Sequence, residues 1–334
     1  MHGELAEKLG VSLSSIRNLI LCEAEEQKNK LKEEFVIIFL FLKMDGCTRH
    51  RINYFALNVQ FVDSKIEVRI FTLAVRDTEN QHSSDFIQRL VEDVLKDFEI
   101  IKQQVLAVVT NNASNMTLAV QKLSEHSITV VAENEDELEG ISILEENSLA
   151  FRYDSEFKTM THMRCAAHTL QLAIRDGLKV RHVASLISKI RQVVVAARSP
   201  KIHAILRRKT NKGAILDQAT RWGSTCLMLE RLLELKPALI DIVHPDVSLP
   251  DAQWNEVKQL EGLLRHPFLT TKILQAADLT PGSFFKEWKK LIFKFSQIGG
   301  ILADAMRTSM ECREKVLLDN NVLLAAVCVD PCIG

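Results

Sequence analysis

The chain has no uninterrupted apolar stretch of 18 residues and no signal peptide, so neither a membrane-spanning helix nor a secreted product is expected. It has few cysteines, and none of them form Cys-x-x-Cys pairs. The seven (Cys22, Cys47, Cys165, Cys226, Cys312, Cys328 and Cys332) are scattered, the pattern of reduced thiols in the cytosol or nucleus. It also lacks an excess of either charge. Forty-two Lys and Arg against 43 Asp and Glu leave a net charge of -1, which gives no global attraction to nucleic acid. Any such contact must come from a local patch. What is present is apolar mass: 334 residues, 47% of them hydrophobic, can bury a sizeable core in two packed regions.

The most apolar stretch is Phe35 to Leu42, inside EEFVIIFLFLKMD, Glu33 to Asp45. Eight residues are too few for a bilayer and read as a strand buried on both faces. A carboxylate leaving such a strand sits where layered α/β folds bind ligands and metals, which makes Asp45 a candidate site residue. Asp45-Gly46 also has the form of an ordinary turn.

Ahead of it, Glu4 to Ile20 places Ala6, Gly10 and Ile16 at helix-turn-helix spacing. The charged stretch that follows suits a solvated helix, so a plain helical lead-in is the other reading. After Gly46 the period becomes two. Phe55, Leu57, Val59 and Phe61 alternate with polar or small neighbours, then Ile66, Val68 and Ile70 do the same, joined at Asp63-Ser64. A helical stripe from Phe86 to Phe98 follows, capped by Ser83 or Ser84, then an apolar strand Val105–Thr110, then a helix carrying Met116, Ala119, Val120 and Leu123. The order βββαβα, with a crossover helix before a parallel fourth strand, makes Asp45 and Asn111 neighbours. This is the layout of a ribonuclease-H-like core. Its chemistry uses carboxylates at those strand ends to hold two divalent ions about 4 Å apart. Asn111 offers only a neutral amide oxygen.

Residues 125–146 carry eight acidic side chains and no Lys or Arg, an acidic connector. Beyond it, Cys165 and His168 lie one turn apart. They form half of a zinc site, or else a core cysteine with a histidine whose internal hydrogen bond fixes the helix start. From Arg181 to Arg221 ten basic residues, Arg207, Arg208 and Lys209 among them, face only Asp217. They make either a phosphate-binding patch or a solvated helix face. Arg221-Trp222 pairs a guanidinium with a stacking surface, and a buried Trp anchoring the helix Ser224 to Leu235 is the ordinary alternative. Helices are then expected at Trp254 to Leu264, Pro267 to Ala277, Pro281 to Ser309 and Cys312 to Val329.

Taken together, these segments resemble the transposases of the hAT superfamily (the hobo, Activator and Tam3 group), of the kind fused elsewhere to BED zinc fingers. KMDGCT at Lys43 to Thr48 is similar to the family's first-aspartate motif, and VVTNNASNM at Val108 to Met116 to its T-D-N-x-x-N-M motif. RCAAHTLQLAIRD resembles its C-x-x-H helix, TRWGSTCLMLERLLE its R-W-x-S-T segment, and CVDPC its D-P-R. The resemblance runs from Ser12 to Gly334 and implies an α/β fold, a ribonuclease-H-like core (βββαβα) followed by an all-helical insertion domain. On this reading residues 1–32 are a helical lead-in, 33–124 the N-terminal part of the core, 125–160 an acidic linker and 161–334 the helical region.

The departures shape the functional expectation. Asn111 stands where the family has its second catalytic aspartate, Cys47 replaces a Trp and Cys332 an Arg. The BED finger, the third carboxylate and the dimerisation segment are expected to be missing. The resemblance then implies a transposase-derived, catalytically inactive protein or fragment in the nucleus. It would retain one of three metal-binding carboxylates (Asp45, vestigial) and hold no Mg2+ or Mn2+. Weak, largely non-specific DNA contact is expected through Arg207, Arg208, Lys209, Arg221 and Trp222, with related transposase-like proteins as further partners and no membrane association. The rival is an active, divalent-metal-dependent hAT transposase, if a longer form supplies the missing C-terminal part.

Overall fold

The computed structural model describes residues 12–36, 38–79, 81–129, 160–218, 222–242, 248–276 and 278–332, and divides into two compact units, 1–163 and 164–334. The first unit opens with helix α1 (Leu13–Phe35), capped by Ser12, whose hydroxyl accepts from the Ser15 N–H. The first half of the expected helix-turn-helix lies outside the described residues, and its second half simply begins this 23-residue helix.

The apolar run does not form one strand. Its first residue, Phe35, ends α1, and the strand β1 starts only at Leu40 and continues through Asp45 to Arg49. Side-chain spacing explains the division. Phe35 lies one helical turn beyond Leu31 on the stripe facing the core, where its ring meets Phe61 edge-on at 5.4 Å and Phe98 at 6.4 Å. The helix-end carbonyl of Phe35 accepts a hydrogen bond from the Gln104 amide.

Strands β2 (Ile52–Val62) and β3 (Val68–Asp77) follow, pairing antiparallel in the expected meander. Asp63 gathers the backbone N–H groups of Lys65 and Glu67, so Ile66 is drawn into the turn at φ 64° and does not open the third strand. Helix α2 (Ser84–Asp97), capped by Ser83, crosses over to β4 (Val105–Thr110), which runs parallel to β1 and is followed by α3 (Ser114–Thr129). A fifth strand, β5 (Thr161–Arg164), completes the order β3-β2-β1-β4-β5. The sequence pattern places these four residues in the helical region, because four residues flanking an acidic stretch carry too little periodicity to show as a strand. The acidic linker expected at 125–160 falls largely outside the described residues, and 125–129 continue α3. Phe55, Leu57, Val59 and Phe61 of β2, with Leu40, Leu42 and Met44 of β1 and Val105 and Val108 of β4, carry most of the sheet's contribution to the core, against Val91, Val94, Leu95, Val120 and Leu123 from the helices.

The second unit is helical: α4 (Ala166–Leu178), α5 (Arg181–Ala197), α6 (Pro200–Thr210), α7 (Trp222–Ile240), α8 (Asp251–Ile273), α9 (Pro281–Ile298), α10 (Ile301–Leu318) and α11 (Asn321–Cys328). Several expected breaks move, and the helix expected from Cys312 to Val329 is divided between the end of α10 and α11, which starts at Asn321. Pro267 lies inside α8, where the two expected helices are one. The helix expected from Pro281 to Ser309 is split by Gly299 and Gly300, at φ 65° and 88°, a left-handed pair that ends α9.

The three-ring contact at Phe35 joins α1 to the sheet. Phe35→Ala should lower the unfolding free energy of the chain by about 3–5 kcal/mol in a denaturant titration. A loss below 1 kcal/mol would mean that α1 is peripheral to the core.

Candidate functional site

In the parallel ladder Met44 is level with Thr110, so Asp45 and Asn111 stand abreast just beyond the last paired residues. Asn111 Nδ2 donates to Asp45 Oδ1 at 3.5 Å, and the same oxygen accepts from the Gly46 N–H at 2.9 Å. The expected neighbours are therefore brought together. Asp45 is nevertheless not at a strand end: β1 outruns β4 and turns only at His50 and Arg51, so the Asp-Gly pair is not a turn.

The amide of Asn111 has a settled orientation, because its Oδ1 accepts from the Ala113 N–H at 3.1 Å as α3 begins. Its amide nitrogen consequently faces Asp45. A metal-bridging ligand would present an anionic oxygen there, so the residues around Asp45 do not fit a two-ion cluster. Among the described residues, no group of three His, Cys, Asp or Glu is placed to hold a metal ion. A cleft of about 210 Å3 adjoins the pair, lined by Cys47, Thr48, Asn53, His82, Asn111 and Asn115. Thr110 Oγ1 meets His162 Nε2 at 2.9 Å, tying β5 to β4.

Cys165 sits at the N-cap of α4. Burial pushes its thiol up, but a hydrogen bond and charge from His168, with the backbone N–H groups of His168 and Ala167, outweigh it and leave the thiol below its ordinary value. The pair is thus an internal contact at a helix start.

The basic run is less exclusive than its sequence implies. Arg207, Arg208 and Lys209 occupy the last turn of α6, where positive charge suits the helix dipole. Lys209 reaches Asp241 at 2.7 Å and Lys212 reaches Glu234 at 3.1 Å, whereas Arg207 and Arg208 have no ion pair among the described residues. Arg221 lies outside the described residues. Trp222 is 4% exposed and packs edge-on against Phe268 at 6.4 Å, so its indole face is closed to a base: the buried-anchor alternative is the observed one.

Asp217 and Ser224, which the sequence pattern does not mark as site residues, carry much of the local order. Asp217, whose side chain is 1% exposed, receives Arg191 Nε at 2.8 Å, Arg191 Nη2 at 2.7 Å and the Thr225 hydroxyl at 2.7 Å. Ser224 Oγ accepts from the Gln218 N–H at 2.7 Å and donates to the Gln218 carbonyl. The Ser-Thr pair of the motif thus latches the segment before α7 onto that helix. The only hint in the sequence was a single acid among ten bases. At the other end of the unit, Asp330 closes the N-terminus of α9: Oδ2 accepts from the Gly282 N–H at 2.7 Å and Oδ1 from the Cys332 N–H. A Cβ at Gly282 would come within 2.5 Å of the Asp330 carboxyl carbon, so this close approach requires glycine.

The same division appears in known protein families. The ZBED1 RNase-like domain model matches residues 47–135, and the ZBED1 RNase-like helical domain model matches residues 163–263. An AC transposase of Zea mays is 26% identical over 95% of this chain and 39% of its own length. This is a hAT transposase-derived chain. Among other hAT-type relatives, the BED zinc-finger protein RICESLEEPER 2 of Oryza sativa subsp. japonica is 23% identical over 85% of the chain and 39% of that protein. A transcriptional regulator, tpeD, of Talaromyces stipitatus is 24% identical over 78% of the chain and 32% of that protein. The chain therefore spans under half the length of these relatives.

The two carboxylate fasteners predict acid sensitivity. Burial raises the Asp217 carboxyl, but Arg191 and Thr225 together hold it below 3.8, and hydrogen bonds from Thr280, Cys332 and Gly282 hold Asp330 at about 2. Depressed values mean stability that is complete above pH 3.8 and is lost as pH falls towards 2. Asp330→Asn should flatten melting temperature against pH in that window. Arg191→Met strands the buried Asp217 and should cost about 3–5 kcal/mol, and adding Asp217→Leu should restore much of it; an unrescued double variant would show that the ion pair is not what fastens the segment.

Proposed function

We propose that this hAT-derived chain is a nucleic-acid-binding protein of the nucleus without strand-transfer chemistry. The observation that carries this reading is the Asn111 amide, which directs a hydrogen-bond donor at Asp45 where two-metal chemistry needs a second carboxylate. Neither Mg2+ nor Mn2+ is then a resident cofactor. Binding is supported by the exposed Arg207 and Arg208 at the end of α6, by the transposase and transcriptional-regulator relatives, and by a position for cations that the net charge of -1 conceals. Such contacts reach phosphates and not base edges, so affinity is weak, largely independent of sequence and steeply dependent on salt. Related transposase-like proteins are further partners in this reading. Among the described residues no helix is long and apolar enough to cross a membrane.

Anisotropy titrations of the chain on duplex DNA at several salt concentrations test the binding half. Neutralising Arg207, Arg208 and Lys209 should flatten the slope of log affinity against log salt by up to about three units. If wild type and triple variant bind alike, the run is a solvated helix face. Calorimetry tests the chemical half: Mn2+ should bind wild type and Asp45→Ala equally weakly. Tight binding abolished by Asp45→Ala, or metal-dependent cleavage of DNA, would restore the active transposase.

A further inference from the structure

Between α4, α5 and the start of α7 lies a second cavity of about 210 Å3. Its lining includes Ile187, Trp222 and Thr225, none more than 4% exposed. Its rim is cationic, formed by Arg175, Lys179 and Arg191.

The charges around this rim do not balance. Arg191 is neutralised by Asp217. Lys179 shares Asp176 with Arg313, at 2.9 and 2.7 Å, so one carboxylate serves two cations. Arg175 is exposed and has no ion pair among the described residues. Among these residues four cations thus meet two carboxylates, and the surplus positive charge lies at and beside the mouth of the cavity.

We propose that this cavity binds a phosphomonoester, carried by the end of a nucleic-acid strand; the strand as source rests on the nucleic-acid reading above, whereas the pocket chemistry does not. A terminal phosphate carries about -1.5 to -2 charges at neutral pH and matches the surplus, while an internal phosphodiester carries a single charge. Arg175 supplies the planar pair of donors that engages two phosphate oxygens at once, with Lys179 as a second point of charge. The surface run on α6 holds the strand, and this pocket distinguishes its end.

The test compares short labelled single strands bearing a 5′-phosphate, a 3′-phosphate or hydroxyls at both ends, by anisotropy with the full chain. One phosphorylated strand should bind roughly tenfold tighter than the hydroxyl strand, a gain on the scale of one charge-assisted pair. Arg175→Ala should abolish that gain without lowering the melting temperature, whereas the Arg207, Arg208 and Lys209 variant should weaken all strands and keep the ratio. A second arm uses adenosine 5′-monophosphate alone: a rise in melting temperature in wild type, absent in Arg175→Ala, supports the pocket even where no strand binds. Equal affinity for phosphorylated and hydroxyl strands overturns the strand end as occupant and leaves the nucleic-acid reading intact. Equal affinity together with no response to the mononucleotide overturns the pocket itself.

Discussion

The parallel pairing of β1 with β4 is the constraint on which the first unit depends. A parallel neighbour cannot be reached by a tight turn, so α2 must cross one face of the sheet, and its buried stripe closes the core with α3. The same pairing sets Asp45 beside Asn111, because ladder register leaves no freedom in which residues emerge together. Asp45 is an exposed carboxylate that takes hydrogen bonds from its own surroundings. The Gly46 N–H and the Asn111 amide occupy one oxygen of Asp45, while the other half of the Asn111 amide starts α3.

The helical unit uses its carboxylates in the same structural manner. Asp217 and Asp330 are both distant in sequence from at least one group they fasten, and both are satisfied by several donors, the condition under which a buried charge is tolerated. Asp217 draws Arg191 and Thr225 together, which seats Trp222 in the core at the beginning of α7. Motif residues that read as binding groups are in this way partly scaffolding. Arg175, Arg207 and Arg208 are among the exposed cations that take no part in these pairings.

Charge at the level of composition conceals this arrangement. The near-equality of 42 basic and 43 acidic residues hides two segregated stretches, eight acids with no Lys or Arg at 125–146 and ten bases with one acid at 181–221. Local surplus decides contact with a polyanion, because screening limits each charge to a range of about 10 Å at moderate salt.

The sequence alone determined the meander, the crossover helix, the fourth strand and most of the helices, since each carries its own period and its own stop signal. It also determined that Asp45 and Asn111 meet, because strand order and register follow from those elements. Tertiary structure decided the rest. The run from Phe35 to Leu42 is uniformly apolar and has no period to show that its first residue belongs to a helix, and the partners Phe61 and Phe98 that settle the matter are distant in sequence. β5 is too short to declare itself. Trp222 reads the same whether it faces a base or Phe268, and Asp217 reads as one stray acid until Arg191 and Thr225 converge on it. Local spacing specifies elements, whereas the burial of an aromatic ring or a carboxylate depends on what the rest of the chain brings against it.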